Sequence, residues 1–231
     1  MTTTSTYEGV LPVAKPKGKT SFYLIKLMRK VSGIKKIGHT GTLDPFATGV
    51  MVLLLGRTYT KQCDALMANE KEYEATFRLG ICTDTQDVDG TPTETSSKIP
   101  TLEEVNNAIA KFQGSFEQLP PMYSAKKIGG KRLYTLAREG ITVERKKSLV
   151  TAYVTLISYT YPYLKVGVKC SKGTYIRTLG YDIGQILGCG AYTQDLARTK
   201  NGSFTLSDCF EFSEGLIERD SFLPFLLKTS P

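Results

Sequence analysis

The chain has 231 residues, 41% of them hydrophobic and 23% charged, which is enough apolar material for one globular core and too much for a disordered chain. Its longest apolar run, residues 50–55, is strand-sized and far short of the about 20 residues that span a bilayer. The start MTTTSTYEGV lacks the basic and apolar stretches of a signal peptide, so a soluble cytoplasmic protein is expected.

In chain order, residues 9–14 read as a short strand. A helix follows, capped by Thr20 or Ser21, with Leu24, Ile25, Leu27, Met28 and Val31 as its apolar stripe and Gly33 as its stop. A Gly- and Thr-rich loop, residues 38–49, leads into a buried strand over 50–55. Tyr73, Ala75, Phe77 and Leu79 alternate with Glu72, Glu74, Thr76 and Arg78, the pattern of a half-buried strand. After an acidic, turn-rich loop over 83–95, Thr101 and Glu104 have capping-box spacing ahead of a helix through Phe112. From Pro120 to Lys147 the chain turns basic, with a short helix over 133–138, and reads as an excursion from the body. Strands over 150–159 and 163–170, a helix over 175–187, a strand-like segment near Phe204 and an apolar tail over 222–227 complete the pass. Many strands with interspersed helices and no regular βα alternation point to an α+β fold with a mixed, mostly antiparallel sheet.

Thirty Lys and Arg against 22 Asp and Glu give a net charge of +8, and the excess is concentrated. Residues 1–37 carry eight basic residues and one acidic; residues 126–147 carry eight and two. Two basic blocks on an acidic body suit either a polyanion footprint or two solvated faces. Neither block is a long basic helix with a wide apolar face, so a membrane surface fits poorly. The five cysteines are odd in number and have no CxxC pair, so they read as reduced thiols. His39 is the only histidine; with it alone a multi-histidine metal site is impossible, and no metal is expected. No phosphate-cradling glycine motif follows a plausible strand, and no cofactor is expected.

The loop GHTGTLDPFATG, residues 38–49, concentrates three glycines, the lone histidine and an aspartate held before a proline. Glycines let a ligand approach the backbone, and Pro45 restricts Asp44 to extended geometry. By itself Asp44 reads equally as the centre of an Asx turn or as a positioned carboxylate.

This loop closely resembles the catalytic loop of the tRNA pseudouridine synthase B family, which isomerises uridine 55 in the T loop of tRNA. Five further elements match in order: Val13-Ala14-Lys15-Pro16-Lys17-Gly18, Lys71-Glu72-Tyr73, Pro120-Pro121-Met122-Tyr123-Ser124-Ala125, Ser171-Lys172-Gly173-Thr174-Tyr175-Ile176-Arg177, and Leu196-Ala197-Arg198-Thr199 with Gly202 and Phe204. Ala14 and Ala197 depart from the residues usual in the family. The resemblance implies a pseudouridine synthase fold, with residues 1–231 forming a single catalytic domain and an RNA-gripping insertion at about 120–147. Family members usually continue into a small C-terminal RNA-binding (PUA) domain; this chain ends at Pro231, and none is expected.

The resemblance also implies roles. Asp44 is the expected nucleophile, a carboxylate being apt for attack on a sugar carbon. Arg177 is its expected ion-pair partner, although Arg177 sits one position off the apolar stripe Ile176, Leu179, Ile183 and Ile186 and reads equally as a surface arginine. Tyr73 would stack on the uracil and act as base, or is simply a half-buried strand tyrosine. Tyr175 and Leu196 would line the uracil pocket. His39 would fill the space left by the flipped nucleotide, or is an ordinary loop residue. Lys15 would support the loop or a phosphate. Lys126, Lys127, Lys131 and Arg132 would hold RNA phosphates. The expected partner is the T arm of tRNA, bound by a monomer. The competing expectation is a non-catalytic tRNA-binding or tRNA-folding module, for which Asp44 has no use.

Overall fold

The computed structural model describes residues 7–67, 70–212, 218 and 220–228. The elements run β1 (Gly9–Lys15), α1 (Ser21–Ser32), β2 (Ile37–His39), β3 (Thr48–Leu55), α2 (Arg57–Thr60), α3 (Cys63–Met67), β4 (Lys71–Leu79), β5 (Ile81–Thr83), β6 (Pro92–Thr95), α4 (Leu102–Ala110) and β7 (Gln113–Gln118). There follow β8 (Lys127–Ile128), β9 (Lys131–Arg132), α5 (Leu133–Arg138), β10 (Ser148–Thr160), β11 (Tyr163–Cys170), α6 (Ile176–Leu187), β12 (Ala191–Asn201), β13 (Phe204–Thr205) and β14 (Phe210–Glu211). The α+β class expected from the pattern is the class observed. No helix among the described residues is long and apolar enough to cross a membrane.

The chain divides into two compact units, residues 1–73 with 196–231, and residues 74–195. In the first unit the strand order is β14-β1-β3-β12, with β2 on β3 and β13 on β12. β1 pairs antiparallel with β3 along its whole length, and β12 pairs parallel with β3 at Ala197↔Thr48 and Arg198↔Gly49. Every residue from Val50 to Leu55 is buried, which is why β3 reads as an unbroken apolar run: both of its faces are covered. Thr20 is the cap of α1, its Oγ1 accepting from the Tyr23 amide at 3.0 Å, and Gly33 ends the helix in the left-handed region at φ 73°. Leu24, Ile25 and Met28 are the buried face.

In the second unit the order is β4-β11-β10-β7, with β10 antiparallel to both β11 and β7. β4 alternates buried and half-open along its length as expected. The Thr101–Glu104 capping box is present in both directions. α4 and α6 pack on this sheet. The stripe on α6 differs from the expected one at its end: Ile186 is 42% exposed, whereas Leu187 is buried, and Gly180 and Gly184 widen the buried face towards Arg177 and Thr178. The acidic loop forms a two-strand ribbon, β5 with β6. The excursion at 120–147 carries the β8–β9 hairpin, turned at Gly129-Gly130 with φ of 58° and 81°. Leu133 and Leu136 of α5 are buried.

Of the strands absent from the sequence reading, β7 and β12 are the longest. β7 carries one aromatic residue among polar ones and lies at the edge of the order. β12 buries Thr193, Arg198 and Asn201, so hydrophobic alternation cannot reveal it.

Candidate active site

In the first unit the loop carrying Asp44 spans from β2 to β3 and is tied down on both flanks. On the side of β1 and α1, Ser21 accepts from the Leu43 amide at 2.9 Å and donates to the Leu43 carbonyl at 3.0 Å. Because Thr20 rather than Ser21 caps α1, the Ser21 hydroxyl is available for this pairing. Two residues on, the Pro45 carbonyl accepts from the Gly18 amide at 2.8 Å and from Lys15 Nζ at 3.2 Å. The Ala47 amide closes a turn on the Asp44 carbonyl at 3.1 Å.

On the other flank β12 supplies two buried polar side chains. Asn201 Nδ2 donates to Thr40 Oγ1 at 3.0 Å. Arg198, 1% exposed, donates from Nε to the Val50 carbonyl at 2.6 Å and from Nη2 to the Gly41 carbonyl at 3.1 Å. One guanidinium thus joins the two ends of the loop, and its planar fork suits that task where a lysine would reach one carbonyl at a time. Gly49 lets β12 come this close: its φ is 106°, and a Cβ there would lie 2.2 Å from the Arg198 carbonyl oxygen. Asp44 is therefore held between anchors at Thr40–Gly41, Leu43, Pro45 and Val50.

The charges around the loop follow from burial. Lys15 is 1% exposed; burial lowers its pKa to about 8, the Asp44 carboxylate opposes that fall and Arg198 adds to it. Burial and then Arg198 also push the His39 pKa below the ordinary value, favouring the neutral imidazole, whose Nδ1 accepts from the Gly41 amide at 3.2 Å. A neutral, locally braced ring is suited to stacking. Tyr73 on β4 and Leu196 on β12 are buried residues of this same unit.

In the second unit Arg177, read equally well as a surface residue from its helical phase, is 4% exposed. Its Nη1 donates to the Thr85 carbonyl at 2.8 Å and lies 3.3 Å from Asp87 Oδ2, while Nη2 donates to the Tyr123 carbonyl at 2.6 Å. The 83–90 turn behind it is shaped by its own side chains: Thr83 donates to the Asp87 carbonyl, Thr85 to Asp87 Oδ1, and Thr178 to Gln86, which is held at φ 63°. Tyr175 precedes α6 and is fixed by Gln118 of β7, which exchanges two hydrogen bonds with its amide and carbonyl at 2.8 and 3.0 Å. Lys127, Lys131 and Arg132 are exposed on the hairpin, whereas Lys126 donates to Ser148 Oγ at 2.9 Å. Among the described residues no three His, Cys, Asp or Glu side chains gather as a metal site requires.

The sequence profile described as TruB family pseudouridylate synthase (N terminal domain) matches residues 29–176, and that described as tRNA pseudouridylate synthase B C-terminal domain matches residues 177–214. The chain belongs to the TruB family. It is 53% identical over 207 residues to the tRNA pseudouridine synthase B of Protochlamydia amoebophila (strain UWE25), covering 90% of this chain and 79% of that protein. To the tRNA pseudouridine synthase B of Chlamydia felis (strain Fe/C-56) it is 50% identical over 215 residues, covering 93% and 91%. Among solved structures, a chain of a Cbf5-Nop10-Gar1 complex matches with a TM-score of 0.69 at 26% identity, over 90% of this chain and 53% of that one; this chain spans about half the length of that neighbour. The pseudouridine synthase fold expected from the motifs is thereby the fold found.

Within this TruB-family chain the sequence reading missed Ser21, Asp87, Arg198 and Asn201. Arg198 stood inside a matched motif, but nothing in a linear string says that a charged strand residue is buried against a loop some 150 positions away. Asp87 looked like one of several turn carboxylates.

Proposed function

We propose that this chain isomerises uridine 55 in the T loop of tRNA to pseudouridine, acting as a monomer in the cytoplasm without a cofactor. The N1–C1′ bond breaks, C1′ rejoins at C5 of the same uracil, the C5 proton leaves to solvent and N1 regains one, so nothing need be supplied. The target nucleotide is flipped out of the loop to reach the enzyme. Asp44 is the nucleophile and Arg177 its cationic partner. Tyr73 stacks on the uracil and takes part in proton removal, with Tyr175 and Leu196 lining the base pocket. His39 fills the vacated space in the RNA, and Lys15 braces the loop. Lys126, Lys127, Lys131 and Arg132 hold phosphates.

The observation that carries this reading is the anchoring of the Asp44 loop. Four tethers hold a half-buried carboxylate that closes no core, the arrangement expected of a group whose geometry serves chemistry. The relatives named above, tRNA pseudouridine synthase B proteins at 50% identity or more, supply the substrate class. The test is tritium release from unmodified tRNA labelled at uridine C5, with the wild type and Asp44→Ala in parallel. Release equivalent to one uridine per tRNA, lost in Asp44→Ala while the tRNA Kd stays within a few-fold, is expected. No release from the wild type with tRNA still bound would instead make this a tRNA-binding or tRNA-folding module.

A further inference from the structure

The basic block at the N-terminal end extends well past Lys15, whose Nζ is tied to the loop at the Pro45 carbonyl. Residues 9–43 contain no Asp or Glu, and α1 lies in the middle of them. With Leu24, Ile25 and Met28 turned into the core, Lys19, Phe22, Tyr23, Lys26, Arg29 and Lys30 are all exposed. The spacing of three, four and seven puts Phe22, Tyr23, Lys26, Arg29 and Lys30 on one continuous helical stripe, and Lys19 lies just before the Thr20 cap. From Phe22 to Lys30 the stripe extends about 12 Å at the helical rise of about 1.5 Å per residue.

Three features of the stripe are unusual for a merely solvated face. Phe22 and Tyr23 are 53% and 42% exposed, side by side on a helix whose apolar side is already covered. Cations sit on their rings: Lys19 Nζ is 5.2 Å from the Tyr23 centroid, and Lys26 Nζ and the Arg29 guanidinium are 5.2 and 6.0 Å from that of Phe22. Among the described residues none of Lys19, Lys26, Arg29 and Lys30 forms an ion pair. Three cations pre-ordered on rings, with Lys30 beside them and none of the four in an ion pair among the described residues, form a surface complementary to a polyanion.

We propose that this face of α1 is a second RNA-binding surface, gripping the sugar–phosphate backbone of the substrate beside the catalytic loop. The proposal rests on the RNA substrate inferred above. The placement follows from the first unit: the chain entering α1 is bonded to the Asp44 loop through Gly18 to Pro45 and Ser21 to Leu43, so the stripe begins at the catalytic loop and leads away from it. RNA with its target base at Asp44 has flanking phosphates within reach of such a track. The contact is electrostatic and positional, without sequence readout. An anionic membrane is the less suitable partner, because insertion needs an apolar face and the one on α1 is buried.

The test is binding of unmodified full-length tRNA by the whole chain across a potassium chloride series, comparing the wild type with Lys26→Gln/Arg29→Gln/Lys30→Gln. Glutamine keeps helix propensity, and Lys26→Arg/Lys30→Arg serves as the charge-preserving control. Each lost phosphate contact removes about 0.7–0.9 from the slope of log K against log salt, so three remove about 2–3 and weaken binding about ten- to a hundredfold near 0.1 M salt. The loss is expected in affinity, with the single-turnover rate at saturating protein within about twofold, and the arginine variant is expected to retain the wild-type slope. An unchanged tRNA affinity and slope in the glutamine variant overturns the proposal. So does a glutamine variant that loses only binding to phosphatidylserine-containing vesicles, which would assign the stripe to a lipid surface. If the wild type releases no tritium from tRNA yet the slope still falls, the surface stands and the isomerase reading fails.

Discussion

Replacing Arg198 by methionine tests whether the β12 side of the clamp positions Asp44. The guanidinium makes two hydrogen bonds from a charged donor, 2.6 Å to the Val50 carbonyl and 3.1 Å to the Gly41 carbonyl. Such bonds contribute about 1.5–3 kcal/mol each, and stranding a buried carbonyl costs a similar amount. Relief of the desolvated charge offsets part of this, leaving a net loss of about 3–5 kcal/mol. For a chain of this length that lowers Tm by about 6–20 °C, at about 2–4 °C per kcal/mol. The loop keeps its Ser21, Lys15 and Gly18 tethers but loses the connection between Gly41 and Val50, so Asp44 can drift. A misplacement near 1 Å costs about a hundredfold in rate. The assay is thermal unfolding together with single-turnover pseudouridine formation at 10 °C, where both proteins are folded. Arg198→Lys, which keeps the charge but not the fork, is expected to fall between the two. A lower Tm with a single-turnover rate within threefold of the wild type would assign Arg198 to the fold alone and refute the clamp.

Two further predictions concern pH. The Lys15 pKa is lowered by burial to about 8 against an ordinary 10.5, so between these values the unfolded chain binds the extra proton and stability gains from rising pH. Lys15→Met is expected to remove that rise, seen as a flatter Tm–pH curve above pH 8; curves that stay parallel would refute it. The neutral amine still has protons for both the Pro16 and Pro45 carbonyls, so loss of its charge does not by itself untie the loop. Asp182 on α6 has the opposite sign of linkage. Burial raises its pKa to about 6, with Lys147 opposing, so the folded state holds the proton longer and stability falls as pH rises from about 4 to 6. Asp182→Asn is expected to raise Tm at pH 7 and not at pH 4; an equal shift at both would show that the carboxyl charge is not the cause.

Elements whose driving force is local were legible in the string. The apolar run of β3, the alternation along β4, the capping box at Thr101 and the stop at Gly33 each follow from side chains within a few residues of one another, and each is present. Motif order also identified the loop around Asp44 and the family to which the chain belongs. What the string could not show is which polar residues are buried and what they hold. Thr20 and Ser21 were equivalent as caps until the Leu43 backbone took up the Ser21 hydroxyl. Arg177 read as a surface arginine as readily as a buried one until the Thr85, Asp87 and Tyr123 oxygens surrounded its guanidinium. β12 had no apolar pattern because its buried face includes Arg198 and Asn201, whose partners lie on β3 and the Asp44 loop. A buried polar group is tolerated only where partners meet it, and those partners are set by strand pairing between segments some 150 residues apart. Local chemistry therefore determined the elements with a local driving force and singled out the Asp44 loop, and only the tertiary structure decided which charged side chains leave solvent to hold that loop still.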